Sequence, residues 1–286
     1  MPISVPVTVP VAAPALAPAF FGAEPALRLR FTEIMLPGSV QFPTAWGIDD
    51  AGDIDGWYYD ASSIEHGYIY AGGVLTNIDD PSGTPTLPRG ISRNGAFVVG
   101  EYTKPSGDNH GFVYSGGTFT DVGTDTLNGA NGVNDAGLIV GSYAHCQYCP
   151  SHGFLFDGTT YTTIDVPHMS ETSIVAINDH GVMLMNGVSN SNVYHAFTYD
   201  GKTFAKIDVP GASNTFAEGI NDRGDVVLSY TNKKVFNGAA ILHAGTFTTY
   251  YLPGAAIQFT GGVNDKRTIV GTSDDSGAFE IWEVHY

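Results

Sequence analysis

The chain predicts a six-bladed β-propeller, and three observations in its 286 residues predict it. A short string recurs six times at near-constant spacing. Each copy reads as four short strands. The chain carries a spare strand before the first copy and lacks one after the last.

The string begins as Gly47-Ile48-Asp49-Asp50 and returns as Gly90-Ile91-Ser92-Arg93, Gly132-Val133-Asn134-Asp135, Ala176-Ile177-Asn178-Asp179, Gly219-Ile220-Asn221-Asp222 and Gly262-Val263-Asn264-Asp265. The intervals are 43, 42, 44, 43 and 43 residues. Strand a is short, as in Ala217-Glu218-Gly219-Ile220-Asn221, and ends in a tight turn whose Asn, Asp and Gly supply positive φ. Strand b is a continuous apolar run such as Leu138-Ile139-Val140, which must be covered on both faces. Strand c is aromatic and β-branched, as in His110-Gly111-Phe112-Val113-Tyr114. Strand d, as in Phe204-Ala205-Lys206-Ile207-Asp208-Val209-Pro210, stops at a proline that offers no N–H to a ladder.

A single such sheet leaves both faces wet, so the copies must stack. The ends of the chain choose a closed ring over a linear solenoid. Leu29-Arg30-Phe31-Thr32-Glu33-Ile34-Met35-Leu36-Pro37-Gly38 matches strand d, and the last copy stops after strand c at Glu280-Ile281-Trp282. The spare strand completes the sixth blade and removes an open edge. Strand a is then innermost, with a small residue at its third position for the crowded axis. The b–c and d–a loops share one face, the more variable and the expected functional one.

Residues 27–286 are assigned to the propeller. Residues 1–26, rich in Val, Ala and Pro, are set aside as a degenerate export signal or a disordered leader. The formal charge of −17 repels nucleic acid and anionic membranes. No run of eighteen apolar residues spans a membrane. A monomer is expected, and no cofactor is implied.

The motifs Gly-Ile-Asn-Asp-x-Gly, His-Gly/Ala-Phe and Thr-x-Ile-Asp-Val-Pro-Gly resemble the HAF repeats of bacterial extracellular proteins. The resemblance covers residues 29–286, with His195-Ala196-Phe197 as the name-giving triplet. It implies secretion or surface display and carries no chemistry or catalytic residues.

Candidate sites follow from how each repeat position varies. His66, His110, His152 and His195 occupy one place at the start of strand c, where blades five and six have Gly238 and Gly277. Such recurrence points to a structural hydrogen bond, with a metal or ligand site as the alternative. The second position of strand a varies instead: Trp46, Arg89, Asn131, Val175, Glu218 and Gly261. An aromatic face, a guanidinium, an amide and a carboxylate around one axis can bind a polar small molecule or a glycan. They can also do acid–base work, with Glu218 as the acid or base and Arg89 stabilising an anion beside a histidine. The alternative is channel filling by an Arg89–Glu218 pair across the axis.

Asp55 stands where other repeats place Val140, Leu184, Val227 and Val270, and is expected to pair with a neighbouring blade or face the channel. Its surroundings, Asp49 to Gly56, fail as a calcium loop because Ala51 falls where an acid is required. Cys146 and Cys149, in His145-Cys146-Gln147-Tyr148-Cys149-Pro150-Ser151-His152, are expected to form a local disulfide. Zinc is the alternative, cramped by four ligands in eight residues. Phosphate-loop, Gly-x-Ser-x-Gly and His-Glu-x-x-His motifs are absent.

Three functions remain: a secreted or cell-surface binding module for a polar small molecule or glycan, a hydrolase or lyase using Arg89 and Glu218, and a structural surface protein without a small-molecule site. The extracellular space or periplasm is the expected location.

Overall fold

The structure is a computed structural model that describes residues 28–38, 40–122, 127–146, 148–233, 238–252, 257–275 and 278–286. The leader of residues 1–26 lies outside the described residues, as does Gly277.

The described residues form six four-stranded antiparallel sheets and no helix. The first strand, β1 (Arg30–Ile34), stands apart from its neighbours in sequence. Blade 1 is β2 (Gly47–Ile48), β3 (Ile54–Tyr59), β4 (Glu65–Ala71) and β5 (Val74–Asn77). Blade 2 is β6 (Thr86–Ile91), β7 (Val98–Thr103), β8 (Asn109–Ser115) and β9 (Thr118–Asp121). Blade 3 is β10 (Leu127–Val133), β11 (Ile139–Ala144), β12 (His152–Phe156) and β13 (Tyr161–Thr163). Blade 4 is β14 (Glu171–Ile177), β15 (Met183–Val188), β16 (Tyr194–Tyr199) and β17 (Phe204–Lys206). Blade 5 is β18 (Asn214–Ile220), β19 (Val226–Thr231), β20 (Gly238–His243) and β21 (Thr246–Tyr250). Blade 6 is β22 (Ile257–Val263), β23 (Thr268–Asp275) and β24 (Ala278–His285), and its fourth strand is β1, in the order β1-β24-β23-β22. Strand β1 pairs antiparallel with β24 from Arg30↔His285 to Ile34↔Ile281. The expected closure is therefore the observed one.

The apolar runs of strand b explain the stacking. In β19, Val226 and Leu228 pack toward blade 4 with Leu184 and Ala196, whereas Val227 between them packs toward blade 6 with Ile269 and Val284. Successive residues of a strand point to opposite faces. One apolar run therefore serves two interfaces, and the core is divided into layers between blades. The closing interface is built the same way, with Ile54 and Tyr68 of blade 1 packed on Val270 and Ile281 of blade 6.

At the axis the backbones themselves meet. A Cβ on Gly132 would lie 2.9 Å from the Cα of Ala176 in the next blade. That contact restricts the third position of strand a to Gly or Ala.

The a–b turns form a second closure. The buried side chains of Asn134, Asn178, Asn221 and Asn264 each accept backbone N–H groups of their own turn. Each also donates from Nδ2 to the next blade, to Asn178 O (3.2 Å), Asn221 O (3.1 Å), Asn264 O (3.0 Å) and Asp49 O (2.8 Å). Beside them, the backbone N–H of Asn94, Asp135, Asp179, Asp222 and Asp265 donates to the carboxylate of the next blade's aspartate, at 2.7–2.9 Å. The recurrent Asn-Asp pair thus does two things: it makes the turn and ties each blade to its successor.

Candidate functional site

The variable position of strand a has a distinct geometry. The ladder between strands a and b skips one residue in each of four blades, between Pro88 and Gly90, Ala130 and Gly132, Ile174 and Ala176, and Ala217 and Gly219. The residues left out are Arg89, Asn131, Val175 and Glu218. Each is the extra residue of a β-bulge, which re-aims a side chain away from the regular pleat. These four, with Trp46 of blade 1, line a central cavity of about 60 Å³. It has room for only a few water molecules, well short of the roughly 300 Å³ or more that buries a drug-sized ligand.

The cavity wall is polar and internally paired. Arg89 lies 5.4 Å from the Trp46 ring centroid, and its Nη2 donates to Glu101 Oε1 at 2.5 Å. The expected pair of Arg89 with Glu218 across the axis is therefore not formed: Arg89 is neutralised within its own blade by a strand-b carboxylate. Glu218 accepts from Ser229 Oγ at 2.5 Å, and burial pushes its carboxyl up to about 7. Asn131 Nδ2 donates to Ile174 O at 2.9 Å and so bridges two blades. The buried Trp46 Nε1 has no hydrogen-bond partner among the described residues.

Arg93 closes one end. From the a–b turn of blade 2 it reaches across the axis. Its Nη2 donates to Ile220 O in blade 5 at 2.7 Å, and its Nη1 donates to Val263 O in blade 6 at 3.2 Å. The carboxylates of Asp50, Asp222 and Asp265 stand 3.9, 3.8 and 3.7 Å from it. Arg93 therefore spans the axis on the a–b side of the ring formed by Arg89, Asn131 and Glu218.

The histidines lie elsewhere. They start strand c, two strand spacings or about 10 Å outside strand a. His66, His152 and His195 each bond through Nδ1 to the carboxylate of Asp79, Asp165 and Asp208 after strand d, at 2.8, 2.8 and 2.7 Å. The other oxygen of each aspartate accepts the N–H of the residue following the histidine. His110 makes a longer contact of 3.3 Å with Asp121 and is also bonded to Lys104 Nζ at 3.0 Å. Each pair clasps strand c to strand d, so none of the four histidines sits beside Arg89 or Glu218. Burial works against a charge on His66, but Asp79 and Asp60 outweigh it, and its pKa is raised. In blade 5 Gly238 leaves room for Tyr230, whose ring would lie 2.5 Å from a Cβ there.

Among the described residues Asp55 neither lines the channel nor finds a side-chain partner. It is fully buried opposite Gly47 in the β2–β3 ladder, and neither carboxylate oxygen has a hydrogen-bond partner among the described residues. Burial raises its carboxyl to about 7. Cys146 and Cys149 are joined by a disulfide. Among the described residues no cluster of three or more His, Cys, Asp or Glu forms a preassembled metal site.

Three groups at the axis were not singled out from sequence. Glu101 and Ser229 share a strand-b position that also holds Trp57, Ser142 and Asn186, so the contrast used for strand a would have found them. Arg93 was visible only as the residue that breaks the Asn-Asp pattern.

No family model matches the chain, and no curated protein does. Among solved structures it is similar to a putative TolB from Agrobacterium tumefaciens, at 14% identity and a TM-score of 0.58, covering 86% of this chain and 90% of that one. The Aleuria aurantia lectin in complex with Fucα1-6GlcNAc matches at 14% identity and a TM-score of 0.52 over 86% and 93% of the two chains. A streptogramin B lyase matches at 11% identity and a TM-score of 0.51 over 90% and 97%. At these identities the likeness is one of fold.

Proposed function

We propose that the protein is a binding module that takes a polar small molecule or glycan at the axis, on the face of the b–c and d–a loops. The observation that supports this is the ring of bulges, which brings Arg89, Asn131 and Glu218 to one cavity beside Trp46, with Arg93 across the axis behind them. The cavity admits one substituent, so the body of the ligand lies across the mouth. Trp46 offers a ring face and an unpartnered N–H, and Asn131 and Glu218 offer polar groups within the ring. Arg89 already holds Glu101, which favours a neutral ligand over a strong anion.

Titration calorimetry against neutral sugars, sugar acids and small polar compounds tests this reading. Binding should be lost in Trp46→Ala and Glu218→Gln, with a Tm close to that of the native chain. A ligand whose affinity ignores both variants, or a panel with no binder, returns the reading to a structural surface protein. One observation favours a second reading. Glu218, held near neutrality, is suited to general acid–base work. Product formation from a panel member, abolished in Glu218→Gln, would make the protein a hydrolase or lyase. We extend the proposal to an extracellular or periplasmic monomer of the HAF-repeat type. The disulfide in an exposed loop suits an oxidising compartment.

A further inference from the structure

The b–c loop of blade 3 sets two cysteines between two histidines. Eight residues are cramped for four ligands only if the chain is extended. This segment is instead the closed end of the β11–β12 hairpin, in which Tyr143 and His152 are cross-strand partners. The fold therefore returns the last residue of the segment beside the first. The His145 and His152 rings have centroids 5.9 Å apart at 54°, and Tyr143 lies against both, at 5.4 and 5.5 Å. Two imidazoles on one tetrahedral zinc, with Zn–N near 2.1 Å, have centroids about 5 Å apart. His145 is exposed and can close the difference by a small turn of its ring.

The cysteines are close to each other, on the chain between the two histidines. Their Cα atoms are 5.1 Å apart across a turn in which Cys149 N–H donates to Cys146 O at 3.1 Å. His152 is already oriented, because its Nδ1 is held by Asp165 Oδ2 at 2.8 Å and its Nε2 is the nitrogen left for a metal. A carboxylate behind a ligating imidazole is the usual outer support of zinc sites.

We propose that the reduced loop binds one zinc ion through the thiolates of Cys146 and Cys149 and the imidazoles of His145 and His152. Disulfide and zinc are then alternative states of one loop. A phosphine reductant gives two electrons to the S–S bond and takes an oxygen from water, leaving two thiols. Zinc then displaces the two thiol protons and takes two neutral imidazoles. An oxidant such as a disulfide reverses the exchange: two electrons leave the sulfurs, the S–S bond forms and the metal departs.

The test uses the full chain and Co²⁺ as a spectroscopic probe, followed by competition with Zn²⁺. The reduced chain should take one equivalent of Co²⁺, with tetrahedral d–d bands and thiolate-to-metal charge transfer, and the oxidised chain none. Affinity should fall at least about 10-fold in His145→Ala and in His152→Ala. It should be abolished in the Cys146→Ser/Cys149→Ser variant. His152→Ala also breaks the Asp165 clasp, so a thermal melt accompanies it. His145→Ala leaves the strand ladders intact and carries the test if His152→Ala unfolds. Equal metal uptake by the reduced and oxidised chains, bands without thiolate charge transfer, or an affinity unmoved in either histidine variant would overturn the assignment.

Discussion

At the scale of single residues, Asp55 is a buried carboxylate without a side-chain partner among the described residues, in a strand position that is Val99, Val140, Leu184, Val227 or Val270 in the other blades. Burial holds its folded pKa at about 7, above the ordinary aspartate value of 3.8. The folded chain therefore holds a proton that the unfolded chain releases. The associated stability is complete below about pH 4 and is lost as pH rises through 7. Glu218, also raised to about 7, acts in the same direction. Asp55→Val should raise stability by on the order of 4 kcal/mol above pH 8 and by much less at pH 4. Denaturant melts across that range measure it, and a gain that does not vary with pH would show that Asp55 is ionised and solvated in the fold. The anomaly was legible in the sequence, because a charge stood in an aligned apolar column. The absence of a partner was not, since partners come from other strands.

At the scale of elements, the repeat carried the strand order, the blade boundaries and the closing strand, because period-two burial and turn residues are local signals. The bulges were not legible. A skipped residue shows only when two strands are set in register, and the sequence of strand a reads continuously through Arg89 or Glu218. Closure by β1 makes a sharp prediction. Phe31 and Ile34 pack into two inter-blade layers, and five residues of β1 cover the edge of β24. A chain beginning at Arg28 should melt with the full chain. One beginning at Ala45 should lose about 3–5 kcal/mol and associate through the bared edge. Equal Tm values for the two would show that blade 6 stands as three strands.

At the scale of the whole molecule, the a–b face concentrates five aspartates around one axis, and Arg93 is the cation that spans it. Burial and the nearby Asp222 and Asp135 raise the pKa of Asp179 against the pull of Arg93, as expected of crowded like charges. Arg93→Ala should cost about 2–3 kcal/mol, partly restored by salt. Arg93→Asp, which returns blade 2 to the repeat pattern, should cost more, because it adds a sixth carboxylate and removes the cation. Melts at low and high ionic strength decide this, and an Asp variant as stable as the native chain would overturn it. Arg93 could not be placed from sequence, because its partners Ile220 and Val263 lie 127 and 170 residues away.

Closure by β1 also sets an order of events during synthesis. Of the ring's described strands, the one that seals it leaves the ribosome first, and its partner β24 follows roughly 250 residues later. At about 5–20 residues per second, β1 waits some tens of seconds without its mate. Its sequence, Arg30-Phe31-Thr32-Glu33-Ile34, places a charge of each sign among its two apolar residues. Such charges discourage pairing with a neighbouring nascent chain on the same message. The arrangement that removes an edge from the finished protein thus leaves one exposed throughout translation, and the short, charged character of β1 is what makes that interval tolerable.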